Sequence, residues 1–266
     1  MSTFVKVIQS FLRVFGLRLT YAMTPQRADM LRDEEHRKRL RWLRQMGVKT
    51  IVDVGANTGQ FSRFMHAFIP EAQIYAFEPL PDCYKELLNH FTGNPKFKAF
   101  NVAVGNQSGE VTVFRNDFTP SSSLLPMAEL HKENFPQTRR EQAQILPIAR
   151  LDDLLNDFPL ERPLLLKLDV QGFEREVILG ASKILQQADV VVTELSVEFL
   201  YEGQPLFDEI YNLLLAAGFQ YQGNFDQLCS PVDGRVLQMD GIFRRRSSMA
   251  GASPVSAEAS TGDRGV

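Results

Sequence analysis

The chain has 266 residues, 44% hydrophobic and 23% charged, which is enough for one sizeable folded core or two small ones. Its net charge of -3 gives no reason to expect nucleic acid as a partner, and its two cysteines are too few for a disulfide framework and lack metal-ligand spacing. No stretch approaches the roughly 20 apolar residues of a transmembrane helix, and no cleavage site follows the apolar N-terminal residues, so we expect a cytoplasmic protein.

The chain begins with a positively charged, amphipathic segment, residues 1–22, which has no acidic residue. The apolar residues at helical spacing are Phe4, Ile8, Phe11 and Phe15. Such a helix either makes a peripheral contact with an anionic membrane or packs its apolar stripe against the protein, and the sequence leaves both open. Residues 27–45 alternate in charge, as a solvated helix face does. We expect residues 1–48 to form an N-terminal helical extension.

From Thr50 onward, apolar strands alternate with helices, which predicts an α/β domain over residues 49–245 with a doubly wound, mostly parallel sheet. The predicted strands are Thr50–Val54, Gln73–Phe77, Phe97–Val104, Glu110–Phe114, Leu164–Val170, Asp189–Leu195, Phe219–Gly223 and Val236–Phe243. The predicted helices cover residues 59–68, 81–91, 172–185 and 207–217. The last two strands have the spacing of an antiparallel hairpin.

Two segments lack this alternation. Residues 116–143 are polar and contain three prolines, which predicts a long loop or lid with some helix that shapes an acceptor pocket. After Phe243 the composition changes to Arg, Ser, Ala and Gly, so we expect residues 246–266 to be a disordered tail.

The most informative motif is the glycine turn Asp53-Val54-Gly55-Ala56-Asn57-Thr58-Gly59 after the first strand. Glycines there allow a tight turn and a close approach of the backbone to a ligand at the helix N-terminus. A dinucleotide site has the pattern G-x-G-x-x-G, and a carboxylate at Asp53 would repel its pyrophosphate. The same carboxylate suits the ammonium and sulfonium charges of S-adenosylmethionine. An NAD-linked oxidoreductase or epimerase is therefore the disfavoured alternative.

The second strand ends in a carboxylate, Glu78, followed by Pro79. A carboxylate at that strand tip can accept hydrogen bonds from both hydroxyls of a ribose. Alternatively, Glu78 only complements the dipole of the following helix. The adenine ring is then expected near the end of the third strand, at Val102 or Ala103, which could equally be plain core residues.

The strand Leu164–Val170 carries Lys167 and Asp169, which are two positions apart and so point to the same face. A charged pair in an apolar strand is either a structural ion pair or part of a site at the carboxyl end of the strand. Methyl transfer to a hydroxyl requires alignment and loss of a proton. We therefore predict that Asp169 is the base or the group that orients the hydroxyl, with Lys167 beside it, and that partial burial raises its pKa. Glu194, at the end of the next strand, either orients the substrate or is a satisfied carboxylate, and Glu174 serves the helix dipole.

Together these motifs resemble the FkbM family of class I S-adenosylmethionine-dependent methyltransferases. The matching stretches are Val52–Gly59, Ala76–Pro79, Ala103–Gly105, Ser121–Ser123 and Leu166–Glu174. The resemblance implies a Rossmann-like, seven-stranded methyltransferase sheet whose last strand is antiparallel. It also implies O-methylation of a sugar or polyketide-type hydroxyl.

The resemblance further assigns roles to single residues. Asp53, Gly55, Asn57, Gly59 and Glu78 would hold the cofactor, Asp169 would face the acceptor, and Ser122 in the matching loop would contact it. The family often has Glu where this chain has Gln171, so a mechanism needing two carboxylates there is not supported, and we predict no metal. The expected acceptor is a small molecule or a glycan. A non-catalytic module that retains the cofactor pocket is the remaining alternative, and the sequence does not indicate the oligomeric state.

Overall fold

The computed structural model of the chain describes residues 34–246. Contacts divide the chain into two units, residues 1–41 and 42–266. In the first unit, residues 34–39 are helical, with ion pairs joining Glu34 to Lys38 and Glu35 to Arg39. The predicted amphipathic helix and membrane contact of residues 1–22, and all but the first residue of the predicted tail 246–266, lie outside the described residues and stay predictions.

The second unit is built around a seven-stranded sheet. Its strands are β1 (Thr50–Val54), β2 (Gln73–Phe77), β3 (Phe97–Phe100), β7 (Leu164–Leu168), β8 (Val190–Ser196), β9 (Phe219–Cys229) and β10 (Val236–Arg245). They lie in the order β3-β2-β1-β7-β8-β10-β9. The pairs from β3 to β8 are parallel, whereas β10 runs antiparallel to both β8 and β9. The predicted mostly parallel sheet with an antiparallel last strand is confirmed.

Burial explains why the central strands are continuous apolar runs. Every residue of β1 and β7 is buried, as are six of the seven residues of β8. Because helices cover both faces of a parallel sheet, such strands have no solvated face to carry polar residues. The buried polar residues inside β1, β7 and β8 are Thr50, Asp53, Lys167, Thr193 and Glu194.

Helices connect the strands. They are α1 (Arg41–Met46), α2 (Gln60–Phe68), α3 (Pro81–His90), α4 (Glu129–Asn134), α5 (Leu151–Leu154), α6 (Glu174–Gly180), α7 (Ser182–Gln187) and α8 (Phe207–Ala216). The single helix predicted over residues 172–185 is two helices, interrupted at Ala181. Gly180, at the end of α6, packs so tightly that an added Cβ would lie 1.9 Å from the Gly105 carbonyl oxygen. None of the helices within residues 34–246 combines the length and apolar character needed to span a membrane.

A second, three-stranded sheet was not predicted. It consists of β4 (Ala103–Gly105), β5 (Gly109–Asn116) and β6 (Glu141–Arg150) in the order β4-β6-β5. The predicted strand Phe97–Val104 is divided between the two sheets at Asn101, whose side-chain amide donates to the carbonyl oxygens of Glu78 and Pro79 at 2.9 and 2.8 Å. The predicted loop 116–143 is wrong at its end, since β6 begins at Glu141.

Candidate active site

The candidate site lies at one edge of the seven-stranded sheet. Because β1, β2, β7 and β8 are parallel, their carboxyl ends meet there. The charged side chains predicted for the site follow from this arrangement: Asp53 lies in β1, Glu78 follows β2, Lys167 and Asp169 are at the end of β7, and Glu194 is in β8. The topology thus brings together residues that are far apart in the chain.

The glycine turn between β1 and α2 packs closely against two other segments of the protein. Gly55 has φ +79°, and an added Cβ would lie 1.8 Å from the backbone oxygen of Asp169. Gly59 has φ +92°, and its Cβ would lie 2.7 Å from Leu87 Cδ1 in α3. Gly55 is therefore required by the close approach of the turn to the Asp169 loop.

Asp53 is fully buried beneath this turn. Its Oδ2 accepts a hydrogen bond from Ser62 Oγ at 2.6 Å, whereas Oδ1 has no hydrogen-bond partner among the described residues. The Lys167 ammonium lies 3.9 Å from Oδ1. Burial raises the pKa of Asp53, and Lys167 opposes that rise. A buried carboxylate oxygen that lacks a hydrogen-bond partner can accept a donor supplied by a ligand.

Glu78 lies where the ribose-binding prediction requires it, after β2 and beside the turn. Its Oε2 accepts from the Asn57 backbone N–H and its Oε1 from the Leu80 backbone N–H, both at 2.8 Å. Each carboxylate oxygen has a second lone pair, so both can still accept from hydroxyls. Burial raises the pKa of Glu78 to about 7. Asn57, with φ +48°, therefore links the turn to Glu78 through its backbone.

Val102 and Ala103, predicted to lie near the end of the third strand, instead come after β3 and belong to different environments. Val102 is partly buried and packs against the main core, while Ala103 begins β4 and pairs with Ile148 of β6. Asn101, immediately before them, holds the Glu78 backbone. The two residues therefore adjoin Glu78 through Asn101, and their predicted contact with adenine stays a prediction.

Lys167 and Asp169 form a direct ion pair, with the Lys167 ammonium 2.8 Å from Asp169 Oδ2. Burial alone lowers the pKa of Lys167, but Asp169 and Asp53 outweigh it and raise that pKa. Conversely, burial alone raises the pKa of Asp169, but Lys167 outweighs it and lowers the pKa below the usual range. The sequence-based expectation of a raised pKa at Asp169 is thus wrong, because its buried neighbour is a cation. The Asp169 side chain keeps 32% of its surface exposed, so an acceptor can reach it.

Gln171 joins Asp169 to Glu194. Its Nε2 donates to Asp169 Oδ1 at 2.9 Å and to the two Glu194 carboxylate oxygens at 2.9 and 2.8 Å. Glu194 also accepts a short hydrogen bond from the Gln238 side-chain amide. Glu194 is only 8% exposed, and burial together with the charge of Asp169 raises its pKa well above the usual value.

Two further acids border this group. Glu174 is buried, and its Oε1 accepts from the backbone N–H groups of Val170 and Gly172 at 3.0 and 3.3 Å. It therefore stabilises the loop before α6 in addition to lying at a helix N-terminus, and burial raises its pKa to about 7. Asp240, opposite Glu194 in the β8–β10 pairing, also has a pKa raised by burial to about 7.

The loop that contains Ser122 adjoins the site. Ser122 Oγ accepts from the Asn116 backbone N–H at 2.9 Å, which leaves its hydroxyl hydrogen available. Its neighbour Ser123 donates to the Gln171 carbonyl oxygen at 2.6 Å, and the Tyr201 hydroxyl lies 3.2 Å from the Ser121 carbonyl oxygen and 2.9 Å from Gln171 Oε1. The Thr119 hydroxyl donates to Asn57 Oδ1 at 3.2 Å, which ties the loop to the glycine turn.

Several residues of this network were missed by sequence reasoning: Ser62, Asn101, Tyr201, Gln238 and Asp240. Gln171 was noticed only as a departure from a family pattern. Tyr201, Gln238 and Asp240 come from segments without a recognisable motif, and only strand pairing and the chain path bring them to the site. A polar residue in an apolar strand, as at Asp240, was the one available signal.

The residues at the glycine turn fit an adenosyl ligand that ends in a cation. The unpartnered Asp53 Oδ1 can accept a cationic donor, and the free lone pairs of Glu78 can accept two ribose hydroxyls. The helix α2 begins directly after Gly59, and the N–H groups of its first turn have no partner within the helix. A pyrophosphate would face the Asp53 carboxylate, which is unfavourable.

Comparison with known proteins agrees with this interpretation. The model of the methyltransferase FkbM domain matches residues 53–221, more than half of the chain. The 2-O-methyltransferase NoeI of Sinorhizobium fredii is 29% identical over 198 residues, covering 70% of this chain and 77% of that protein.

Two further relatives act on different kinds of molecule, according to their names. The 31-O-demethyl-FK506 methyltransferase FkbM of Streptomyces tacrolimicus is 27% identical over 202 residues, covering 67% of this chain and 75% of that protein. The hexuronic acid methyltransferase AglP of Haloferax volcanii is 28% identical over 148 residues, covering 54% of each chain.

Proposed function

Because the chain belongs to the FkbM methyltransferase family, we propose that it transfers a methyl group from S-adenosylmethionine to a hydroxyl oxygen of a saccharide, glycoconjugate or polyketide-type acceptor. The named relatives that support this acceptor range are a 2-O-methyltransferase, a hexuronic acid methyltransferase and a methyltransferase of 31-O-demethyl-FK506. S-adenosylmethionine, when bound, supplies an electrophilic methyl group. The sulfur that carries this methyl group is the leaving group.

The cofactor half of the site is assigned to the residues around the glycine turn. Asp53 Oδ1 is the acceptor for the ligand's cationic end, and Glu78 accepts the two ribose hydroxyls. Gly55, Asn57 and Gly59 shape the turn, and Val102 and Ala103 border the adenine. Supporting this assignment, Asn57 and Glu78 are already joined by a hydrogen bond, so that the turn and the ribose acceptor are positioned together before binding.

The acceptor half is assigned to Asp169, with Lys167, Glu194 and Ser122 around it. Asp169 accepts the hydrogen bond of the acceptor hydroxyl, orients its oxygen toward the methyl group, and takes up the hydroxyl proton as the new carbon–oxygen bond forms and the carbon–sulfur bond breaks. Since the Lys167 cation lowers its pKa, Asp169 stays ionised at neutral pH but is a weak base, and its contribution is mainly orientation. Lys167 fixes Asp169, and the Ser122 hydroxyl hydrogen is available to an acceptor oxygen.

Two exposed aromatic rings on the segments that border the site favour an acceptor with apolar faces. Phe118, 54% exposed, immediately precedes Thr119, whose hydroxyl binds Asn57. Phe199, 53% exposed, lies two residues before Tyr201, whose hydroxyl binds Gln171. The C–H face of a sugar ring and an apolar polyketide surface both pack well on aromatic rings.

The single observation that carries the proposal is that Lys167 joins the cofactor-side Asp53 to the acceptor-side Asp169. The first experiment is isothermal titration of the full chain with S-adenosylhomocysteine and, separately, with NADH. We expect S-adenosylhomocysteine alone to bind. A folded protein that binds only NADH would contradict the proposal in favour of the oxidoreductase alternative.

The acceptor can be identified by incubating the chain with methyl-labelled S-adenosylmethionine and fractionated cell extracts, followed by mass spectrometry of the labelled product. Treatment of that product with mild alkali distinguishes the bond formed, because a methyl ether is stable and a methyl ester is hydrolysed. We expect an alkali-stable label. The Asp169→Asn variant provides the matched blank, and a chain that binds cofactor but labels nothing would favour the non-catalytic alternative.

A cytoplasmic location and a peripheral membrane contact through residues 1–22 are proposals that rest on the sequence alone. Flotation with anionic liposomes compares the full chain with a version that lacks residues 1–22. Flotation of the full chain only is the expected result, and equal flotation of both would contradict the membrane contact.

A further inference from the structure

The side chain of Gln171 binds two carboxylates at once. Its Nε2 is 2.9 Å from Asp169 Oδ1 and 2.9 and 2.8 Å from the two oxygens of Glu194. An amide nitrogen has two hydrogens, so one is available to each carboxylate. The Tyr201 hydroxyl, 2.9 Å from Gln171 Oε1, donates to that oxygen and so turns the nitrogen toward the acids.

The backbone of Gln171 is also held in place. Its φ is +53°, a conformation that non-glycine residues rarely adopt and that costs of order 1 kcal/mol or more. Ser123 donates to its carbonyl oxygen at 2.6 Å, and Glu174 accepts from the N–H groups on either side of it, those of Val170 and Gly172. Ser123 and Glu174 therefore hold the backbone in an unfavourable conformation, and in that conformation the side-chain amide points toward Asp169 and Glu194.

A partly buried carboxylate, Asp169, and a buried one, Glu194, share Gln171 as a neighbour, and two such carboxylates repel each other unless a proton, a cation or hydrogen-bond donors lie between them. The Lys167 ammonium contacts Asp169 from the other side, at Oδ2. Between Asp169 and Glu194 lie the two Gln171 hydrogens, and the raised pKa of Glu194 also favours a proton on that carboxyl. The titratable groups that face this region are Asp53, Lys167, Asp169, Glu174, Glu194, Tyr201 and Asp240.

We infer that Gln171 is a positioning residue whose neutral amide takes the place of a cation between Asp169 and Glu194, and so holds Asp169 in its orientation toward the acceptor. This inference rests on the proposed methyl transfer for its kinetic consequences. Its structural consequence, a change in cation binding when the amide is replaced, can be measured without any acceptor.

Replacing the amide nitrogen by oxygen should convert this position into a cation site. In Gln171→Glu, an oxygen of the introduced carboxylate would lie about 2.9 Å from oxygens of Asp169 and Glu194. Neighbouring oxygens around an octahedral divalent cation with metal–oxygen distances of about 2.1 Å are about 3 Å apart. The second oxygen of the introduced carboxylate would still accept from Tyr201, so the variant preserves the shape of the side chain.

Manganese alone is the probe for the first test. Electron paramagnetic resonance titrations compare the full-length wild type, Gln171→Glu, the double variant Gln171→Glu/Glu194→Gln, and Gln238→Glu as the matched control. We expect Gln171→Glu to bind one Mn²⁺ at least about tenfold more tightly than the wild type, and the double variant to lose that gain. Gln238→Glu adds a carboxylate beside Glu194 alone and should stay near the wild type. Equal binding by the wild type and Gln171→Glu would overturn the inference.

The second test measures kcat against pH in the presence of EDTA, with the acceptor found by product labelling. In Gln171→Glu the introduced carboxyl still donates one hydrogen when protonated but none when ionised, so the kcat of this variant should fall at least about tenfold from pH 6 to 8 relative to the wild type. Added Mn²⁺ should restore it, and at each pH the S-adenosylhomocysteine affinity of the variant should stay within about twofold of that of the wild type at the same pH. If the plot of kcat against pH for Gln171→Glu were parallel to that of the wild type, Gln171 would have a merely structural role. The same would follow if the variant lost both cofactor binding and thermal stability. Failure of the proposed function would instead appear in the wild type, as no cofactor binding or no labelled product.

Discussion

Lys167 lies directly opposite Asp53 in the parallel pairing of β1 and β7, and its ammonium nitrogen is 3.9 Å from Asp53 Oδ1. The same nitrogen is 2.8 Å from Asp169 Oδ2. One buried cation therefore faces the carboxylates of both halves of the site. This arrangement makes the ionisation of the cofactor side and that of the acceptor side interdependent.

Removing that cation should destabilise the protein. In Lys167→Met, Asp53 and Asp169 keep their burial but lose their counter-ion, and breaking a buried ion pair costs about 3 kcal/mol or more. Urea denaturation of the cofactor-free protein measures the loss. In the double variant Lys167→Met/Asp169→Asn one of the two stranded charges is gone, so its loss of stability should be smaller than that of Lys167→Met. A double variant whose loss equals the sum of the single losses would contradict the coupling.

Asp169→Asn should separate binding from turnover. The amide cannot accept through both atoms or carry the charge that orients the hydroxyl, so we expect kcat to fall by about 10²- to 10⁴-fold. S-adenosylhomocysteine affinity, measured by isothermal titration, should stay within about twofold because Asp169 is assigned to the acceptor side. Because the wild-type pKa of Asp169 is lowered, its ionisation should not limit kcat between pH 5 and 8. Unchanged turnover in the variant would show that another residue orients the acceptor.

How much of this site could be predicted from the sequence depends on how local the signal is. Asp53, Gly55 and Glu78 belong to short motifs at the ends of apolar strands, and strand order alone placed them at one edge. The buried apolar runs of β1, β7 and β8 likewise identified the parallel sheet correctly. In such runs the apolar residues directly reflect the burial of the strand on both faces.

The remaining features depend on contacts between distant segments. Gln171 acquires its importance from Glu194 and Tyr201, which only the folded chain brings to it. The lowered pKa of Asp169 has a local cause instead, because Lys167 is only two positions away; the expected sign was wrong because burial was weighed without the charge of that lysine. β6 was missed because, as a strand of the small sheet, it exposes most of the residues in its polar first half. Such a strand does not show a continuous apolar run.

Glu78 should make cofactor binding depend on pH. Burial raises its pKa to about 7 in the free protein, and only the ionised form can accept from both ribose hydroxyls while it also accepts from Asn57 and Leu80. Below that pKa, binding must expel a proton, so the Kd for S-adenosylhomocysteine should rise about tenfold between pH 8 and pH 6. Isothermal titration in buffers of different ionisation enthalpy would also detect the released proton.

Glu78→Gln is the control for that pH dependence. This variant should bind S-adenosylhomocysteine more weakly at pH 8, because one of the two carboxylate oxygens is replaced by an NH₂ group, which donates. Its Kd should be nearly constant from pH 6 to 8. Glu174 and Asp240 also have pKa values of about 7, but the cofactor is not assigned to them. A variant that keeps the wild-type pH dependence would assign it to one of those acids or to Asp53, whose pKa burial also raises.

The exposed aromatic rings should affect acceptor binding rather than chemistry. Phe118→Ala and Phe199→Ala remove apolar surface beside the site, so we expect KM for the acceptor to rise several-fold with kcat nearly unchanged. Leu179→Ala is a matched control, because Leu179 is 48% exposed and lies near the end of α6, away from the loop where that helix begins. A fall in kcat without a change in KM would assign the rings to alignment of the acceptor.

Gly55 offers a test of why the turn contains glycine. In Gly55→Ala the methyl group would lie 1.8 Å from the Asp169 carbonyl oxygen, so the turn and the Asp169 loop must separate. We expect a loss of at least about 3 kcal/mol in the free energy of unfolding.

Gly93→Ala is the matched control: it has a similar φ of +77° but nothing within 4 Å, and so carries only the conformational cost of about 1–2 kcal/mol. Urea denaturation of both variants isolates the steric contribution, because the backbone cost is common to them. If the two losses were equal, the glycine would be needed only for its conformation, and the close approach of Asp169 would have no energetic weight. If Gly55→Ala is much less stable than Gly93→Ala, the glycine turn and the Asp169 loop are held together by direct backbone contact. A substitution that displaces the backbone of either one should then displace the backbone of the other.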